Sequence, residues 1–295
     1  MNVTFGIINS VPQVRIFKHF TKYIHQAKSS LKFYFGAKTL YNIHSPLLFE
    51  LLPFIFDHSD QDKKQYAVIE RLVQKLKTNT ETFEHHDLGM GSRKIKSKSK
   101  KSIKDVYYAS SSYPRKGKIL YKLVQYFKPK STLELGTNLG VGTAYLASGN
   151  SANKLTTVEG DAFLGALSQT HFNSLGLDSI QVNIADFDSY LYDKKKAHNF
   201  DFVFIDGNHD YTPTVQYFND LYDATKENQV IVFDDIYWSK GMTKAWEEVQ
   251  SKLVSGYCID LFQMGILINS KAINNVIKLK YIRKRWKPLS FGFWG

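Results

Sequence analysis

Glycines, carboxylates and one imidazole between positions 133 and 235 hold most of the chemistry this 295-residue sequence can offer. Gly136, Gly140 and Gly142 punctuate the run Leu133-Glu134-Leu135-Gly136-Thr137-Asn138-Leu139-Gly140-Val141-Gly142-Thr143. Glycine has no Cβ and tolerates positive φ, so such a turn lets backbone approach a ligand closely. Glu159 follows Gly136 by 23 positions, close to the separation at which a carboxylate grips ribose hydroxyls. Further along stand Asp206-Gly207-Asn208-His209-Asp210-Tyr211 and the adjacent pair Asp234-Asp235. Carboxylates hold hard cations and imidazole moves protons near neutral pH.

These groups need a scaffold that gathers them. Ser131 to Leu135 reads as a buried strand that breaks into the glycine turn and then a helix from about Thr143 to Ala147. Four more short β-type runs each lead into an acid. Lys154 to Val158 precedes Glu159, Ser179 to Asn183 precedes Asp186, Phe200 to Ile205 precedes Asp206, and Gln229 to Phe233 precedes Asp234-Asp235. Helical segments such as Ala162 to Leu175 and Thr214 to Thr225 lie between them. Alternation of this kind predicts an α/β fold with a Rossmann-like, doubly wound, mostly parallel sheet. All carboxyl ends then face one side, and the acids share a crevice. Tyr257 to Leu261 and Gly265 to Asn269, joined by three residues, must pair antiparallel as a C-terminal hairpin.

The spacing G-x-x-x-G-x-G, with an acid two residues before the first glycine, departs from the dinucleotide fingerprint and resembles motif I of class I S-adenosylmethionine-dependent methyltransferases. The terminal hairpin suits that family. The Asp206–Tyr211 run and the paired acids resemble its metal-dependent O-methyltransferases of the catechol and macrocin type. The resemblance implies that Glu159 takes the ribose of S-adenosylmethionine, that Asp186 lies beside the adenine, and that Glu134 and Asn138 flank the methionine portion. Gly136, Gly140, Gly142, Thr143 and Asp206 complete the implied cofactor site. It further implies Asp206, Asp234 and Asp235 as ligands of Mg²⁺ and His209 as general base. Three uncompensated carboxylates would repel, and a divalent ion is one physical reason for them to coexist. Two departures stand out. Catechol-type relatives carry Asn where this chain has Asp235 and Lys near the base position, and many carry Ser at Gly142, which leaves Thr143 or backbone to contact the methionine end.

The net charge of +12 is concentrated. Arg93 to Lys104 and Lys271 to Lys287 each hold seven basic residues and no acid, and the remaining 25 basic residues nearly balance 27 acidic ones. The first run reads as an exposed loop, and the second as a basic tail whose Tyr281, Trp286, Phe291, Phe293 and Trp294 pack on the domain or meet an anionic surface. Residues 1–92 read as a helical cap, 93–112 as a basic linker, 113–270 as the methyltransferase domain and 271–295 as the tail. Within the cap, Ser45-Pro46 starts a helix and Tyr66 to Leu76 is amphipathic; His44, His85 and His86 lie within reach of substrate or solvent. The lone Cys258 excludes an internal disulfide framework and fits inert packing in a reducing compartment. No secretory signal is evident, and the most apolar stretch, Pro46 to Phe56, is too short to span a bilayer, which points to a cytoplasmic protein. The expected acceptor is a small-molecule hydroxyl. An RNA methyltransferase using the two basic runs, and a nucleotide- or nicotinamide-binding Rossmann-type protein, are the alternatives.

Overall fold

The computed structural model describes residues 11–86, 98–109, 114–192 and 200–287. Helices α1 (Val11–Gly36), α2 (Pro46–Phe56) and α3 (Asp60–Thr78) come first. Strands β1 (Thr82–His86) and β2 (Lys98–Ser102) and helix α4 (Ile103–Ala109) follow. The alternating unit is α5 (Arg115–Phe127), β3 (Ser131–Leu135), α6 (Val141–Gly149), β4 (Lys154–Glu159), α7 (Ala162–Leu175), β5 (Ile180–Ile184) and α8 (Phe187–Leu191). It continues through β6 (Phe202–Ile205), α9 (Tyr211–Leu221), β7 (Val230–Asp234), α10 (Lys240–Lys252), β8 (Gly256–Asp260), β9 (Met264–Asn269) and β10 (Val276–Lys280).

Eight strands form one sheet in the order β10-β8-β9-β7-β6-β3-β4-β5. Only β9 runs against its neighbours, inserted antiparallel between β7 and β8. Successive side chains in a strand point to opposite faces. Val203, Ile205, Ile231 and Phe233 therefore join Phe218 and Trp246 in one core layer, while Phe202, Phe204, Val230 and Val232 join Leu120, Leu123 and Leu51 in the other. Helices cover both faces, which is why these strands read as unbroken apolar runs.

The N-terminal region is joined to this unit by a buried ion pair. Ser59 caps α3, and the Asp62 carboxylate accepts in return from the Ser59 backbone N–H at 2.8 Å. The same carboxylate lies 3.0 Å from the Lys122 ammonium on α5, with both side chains almost fully enclosed. Ser45 caps α2 with Pro46 at its first position, as its sequence predicts.

Two basic segments differ from their expectation as appendages. Lys98 to Ser102 is a strand that pairs antiparallel with β1, setting Glu84 opposite Lys100. A two-stranded ribbon gains cross-strand charge pairing and backbone bonds without apolar alternation, so the Lys/Ser run carried no strand signal. The chain then enters α4 with Ile103 fully buried. Residues 93–97, also within the expected loop, lie outside the described residues. In the expected tail, Val276 to Lys280 forms the edge strand β10, parallel to β8. Tyr281 is buried, bridges to Lys38 and stacks on Phe56, whereas Trp286 is exposed. Phe291, Phe293 and Trp294 lie outside the described residues. Among the described residues no helix is long and apolar enough to cross a membrane. Cys258 is buried in β8, and burial pushes its thiol up to about 12, in keeping with inert packing.

Candidate active site

The carboxyl ends of β3, β4, β6 and β7 open on one side of the sheet, and the glycine turn sits at the first of them. Gly136 has φ +108°, and a Cβ there would collide with the Asp206 carbonyl at the end of β6. Gly140 has φ +77°, and its missing Cβ makes room for the Phe172 ring. Close packing within the protein therefore requires both glycines. Asn138, also left-handed at φ +51°, donates its backbone N–H to the Glu159 carboxylate at 2.7 Å. The other Glu159 oxygen accepts from the Asp161 N–H at 2.9 Å. Burial raises the Glu159 carboxyl above the ordinary range against these backbone donors. The turn and the acid of β4 are thus tied together at the edge of the crevice.

Glu134 lies beneath the turn, fully enclosed. Its Oε2 accepts from the Thr143 hydroxyl at 2.5 Å and from the Thr157 hydroxyl at 2.6 Å, and its Oε1 is buried without a hydrogen bond. Thr143 has no exposed surface. Its hydroxyl faces inward to Glu134, whereas the sequence leaves contact with the methionine end of a cofactor to Thr143 or to backbone. Burial pushes the Glu134 carboxyl up to about 8. An acid whose folded pKa exceeds its unfolded value binds more protons when folded, so stability falls as pH rises from about 4.5 to about 8. The expected slope from this group approaches ~1.4 kcal/mol per pH unit. Melting curves across that range should show Glu134→Gln losing less stability with rising pH than the parent protein.

Asp186 is exposed and caps α8, accepting the Ser189 N–H at 2.8 Å; that hydrogen bond lowers its pKa. A helix cap beside the crevice is compatible with an adenine neighbour.

The second constellation surrounds a cavity of about 730 Å³. Asp206, His209, Asp234 and Asp235 line it together with Asn138 of the glycine turn. His209 Nε2 lies 3.6 Å from Asp206 Oδ1, and its ring stands 6.2 Å from the Trp238 indole. Asp235, just past the end of β7, is left-handed at φ +50°. Gln26, Ala27 and Ser30 of α1 close the cavity opposite the sheet, and His85 and Lys101 of the β1–β2 ribbon close another side. His85 Nδ1 is 3.0 Å from Asp161 Oδ2, which fixes the ribbon to the end of β4. His44 is exposed and outside this lining. Helix α1 is held by His25, 3.0 Å from the Thr243 hydroxyl, and by Lys22, whose ammonium lies 2.7 Å from the Trp238 ring centroid.

Lys116, at the start of α5, was not anticipated. Its Nζ lies 2.6 and 2.7 Å from the two oxygens of Asp234 and 2.7 Å from Asp235 Oδ1. Burial works against its charge, but the two carboxylates more than reverse this and hold Lys116 above the ordinary lysine range. Burial, followed by the neighbouring Asp206 and Asp235, drives the Asp234 carboxyl well above the usual carboxylate range. A signal existed in the sequence. Lys116 shares a helical face with Ile119, Leu120 and Leu123, and a lysine on an apolar face needs an acid partner.

Residues 133–236 match the family described as a methyltransferase domain. The strands, glycine turn and acids described above lie within that stretch, which is similar to a methyltransferase domain. Strand β9, inserted antiparallel between β7 and β8, gives the C-terminal hairpin that the sequence predicts. Over 132 residues, 43% of this chain, the sequence is 32% identical to a catechol O-methyltransferase from Niastella koreensis and spans 59% of that protein's length. Among solved structures, an O-methyltransferase from Bacillus cereus in complex with SAH is similar over 70% of this chain and 91% of its own, with 19% identity and a TM-score of 0.49. The O-methyltransferase TomG from Streptomyces achromogenes, in complex with SAM, is similar over 52% and 79%, with 16% identity and a TM-score of 0.45.

Proposed function

We propose that this protein methylates a hydroxyl oxygen of a small molecule held in the cavity between the sheet and α1. The observation that carries the reading is that one cavity joins Asn138, beside the ribose-gripping candidate Glu159, to His209 and Asp206. Bound in the crevice, S-adenosylmethionine supplies an electrophilic methyl group on a sulfonium sulfur. Glu159 has lone pairs beyond its two backbone bonds for the ribose hydroxyls, and the amides around Gly136 to Gly142 meet the methionine portion. Holding donor and acceptor in line is the main task of the protein in such a displacement. His209 accepts the acceptor's hydroxyl proton, and Asp206 stabilises the imidazolium that forms. Trp238 and Tyr237 give the acceptor an apolar wall.

The resemblance suggested Mg²⁺ at Asp206, Asp234 and Asp235, and the donor set does not fit that ion. Mg²⁺ demands near-octahedral oxygen ligands at short distance. Here the Asp234 and Asp235 oxygens already converge on the Lys116 ammonium. Two unit charges ~4 Å apart near a protein surface interact by about 4 kcal/mol, and a divalent ion beside Lys116 would double that repulsion. Among the described residues no group of three or more His, Cys, Asp or Glu is arranged to hold a metal.

The reading is tested by incubating the protein with methyl-labelled S-adenosylmethionine and separate pools of small hydroxyl compounds and RNA. Label is expected in an alkali-stable methyl ether from the small-molecule pool. Label confined to RNA would overturn the acceptor assignment and favour the basic ribbon and tail as nucleic-acid contacts.

A further inference from the structure

The acid pair at the end of β7 is neutralised from within the fold. Among the described residues Lys116 is one of the most buried lysines, with only 4% of its side chain exposed. Three carboxylate oxygens lie within 2.7 Å of its ammonium, which donates hydrogen bonds to Asp234 Oδ2 and to Asp235 Oδ1. Asp234 is nearly enclosed, with 7% of its side chain exposed, whereas Asp235 retains 26% and faces the cavity. The backbone supports the arrangement: the Asp235 N–H donates to the Gln263 carbonyl at 2.8 Å, and the Asp235 carbonyl accepts from the Trp238 N–H at 2.8 Å. Lys116 is set rigidly too, since Gly117 beside it packs without a Cβ against the Tyr145 ring.

We propose that the Lys116 ammonium is the resident cation of this site, occupying the position between Asp234 and Asp235 that a divalent ion would otherwise take. The proposal rests on the methyltransferase reading only for what the site does, and the cation assignment itself rests on the three short contacts. Lys116 is a positioning residue. It does not line the cavity, and it acts by holding Asp235 with an oxygen toward the acceptor, where the carboxylate orients a hydroxyl by hydrogen bonding. Removing a cation that two acids share leaves them uncompensated, which is a condition for recruiting a metal.

The test uses the full chain and Mn²⁺ as probe, with binding read by electron paramagnetic resonance and S-adenosylhomocysteine affinity measured in parallel. The parent protein is expected to bind Mn²⁺ only at millimolar concentration. Lys116→Gln is expected to gain a Mn²⁺ site at least ~10-fold tighter, and Lys116→Gln with Asp235→Asn to lose that gain. Micromolar Mn²⁺ binding by the parent protein, abolished by Asp235→Asn, would overturn the proposal, and this measurement needs no Lys116 variant to fold. A Lys116→Gln protein that retains S-adenosylhomocysteine affinity but gains no Mn²⁺ site would overturn it as well. Failure of the parent protein to bind S-adenosylhomocysteine would count against the methyltransferase reading and leave the Mn²⁺ comparison to judge the cation assignment separately.

Discussion

Replacing His209 with alanine is expected to lower kcat by roughly 10²–10⁴-fold, the usual worth of a positioned general base. The imidazole lines the cavity, stands 3.6 Å from Asp206 and is backed by Trp238, so it is placed to receive a proton and to have the resulting charge stabilised. The glycine turn and Glu159 do not touch His209, and S-adenosylhomocysteine affinity should stay within about twofold. Asp206→Asn should lose less than His209→Ala, because it removes the stabiliser and keeps the base. The discriminating measurement is steady-state turnover of both variants beside calorimetric cofactor affinity. Turnover of His209→Ala within threefold of the parent protein would assign the proton to another group, with Asp235 the next candidate lining the cavity.

The largest expected effect on stability lies far from the cavity. Asp62→Ala should destabilise the fold by about 3–5 kcal/mol, the cost of leaving a buried charge without its partner. Asp62 is 1% exposed, lies 3.0 Å from Lys122, accepts from the backbone N–H of the helix cap Ser59 and accepts from the Gln125 amide at 3.3 Å. Its loss strands an ammonium between α3 and α5, over the Phe54 ring 4.0 Å away. Asp62→Leu combined with Lys122→Met should recover most of the loss, because replacing both members of a buried pair by apolar groups is often neutral. Thermal denaturation of the single and double variants measures this directly. Equal destabilisation by both would mean that packing, not the stranded charge, dominates.

The alternating unit was the most legible part of the chain. Ser131–Leu135 and Ala162–Leu175 form with the bounds their residues suggested, because buried parallel strands leave apolar runs and because Asp161 and Gly176 punctuate α7 at its two ends. The ribbon strand β2 and the edge strand β10 were not legible. Each carries lysines and pairs along an edge, so backbone bonding fixes it more than an apolar pattern does. In the site, the acids were legible because all strands of a parallel sheet deliver their carboxyl ends to one side. The need of Lys116 for an acid was legible on its apolar helix face, but its partner was hidden, because it reaches across 118 positions to Asp234 and local spacing carries no record of such a contact. The bond from the Thr143 hydroxyl to Glu134 beneath the turn was hidden likewise, because spacing along the turn does not show which way a side chain points.

Cofactor binding is the claim on which the rest stands, and calorimetric titration with S-adenosylhomocysteine tests it most directly. The parent protein should bind one equivalent, and Glu159→Ala should bind on the order of 10- to 150-fold more weakly, corresponding to the roughly 1.5–3 kcal/mol of hydrogen bonds to a charged group. No binding by the parent protein, or equal affinity in the Glu159→Ala variant, would contradict the placement of the cofactor between the Gly136 turn and the end of β4.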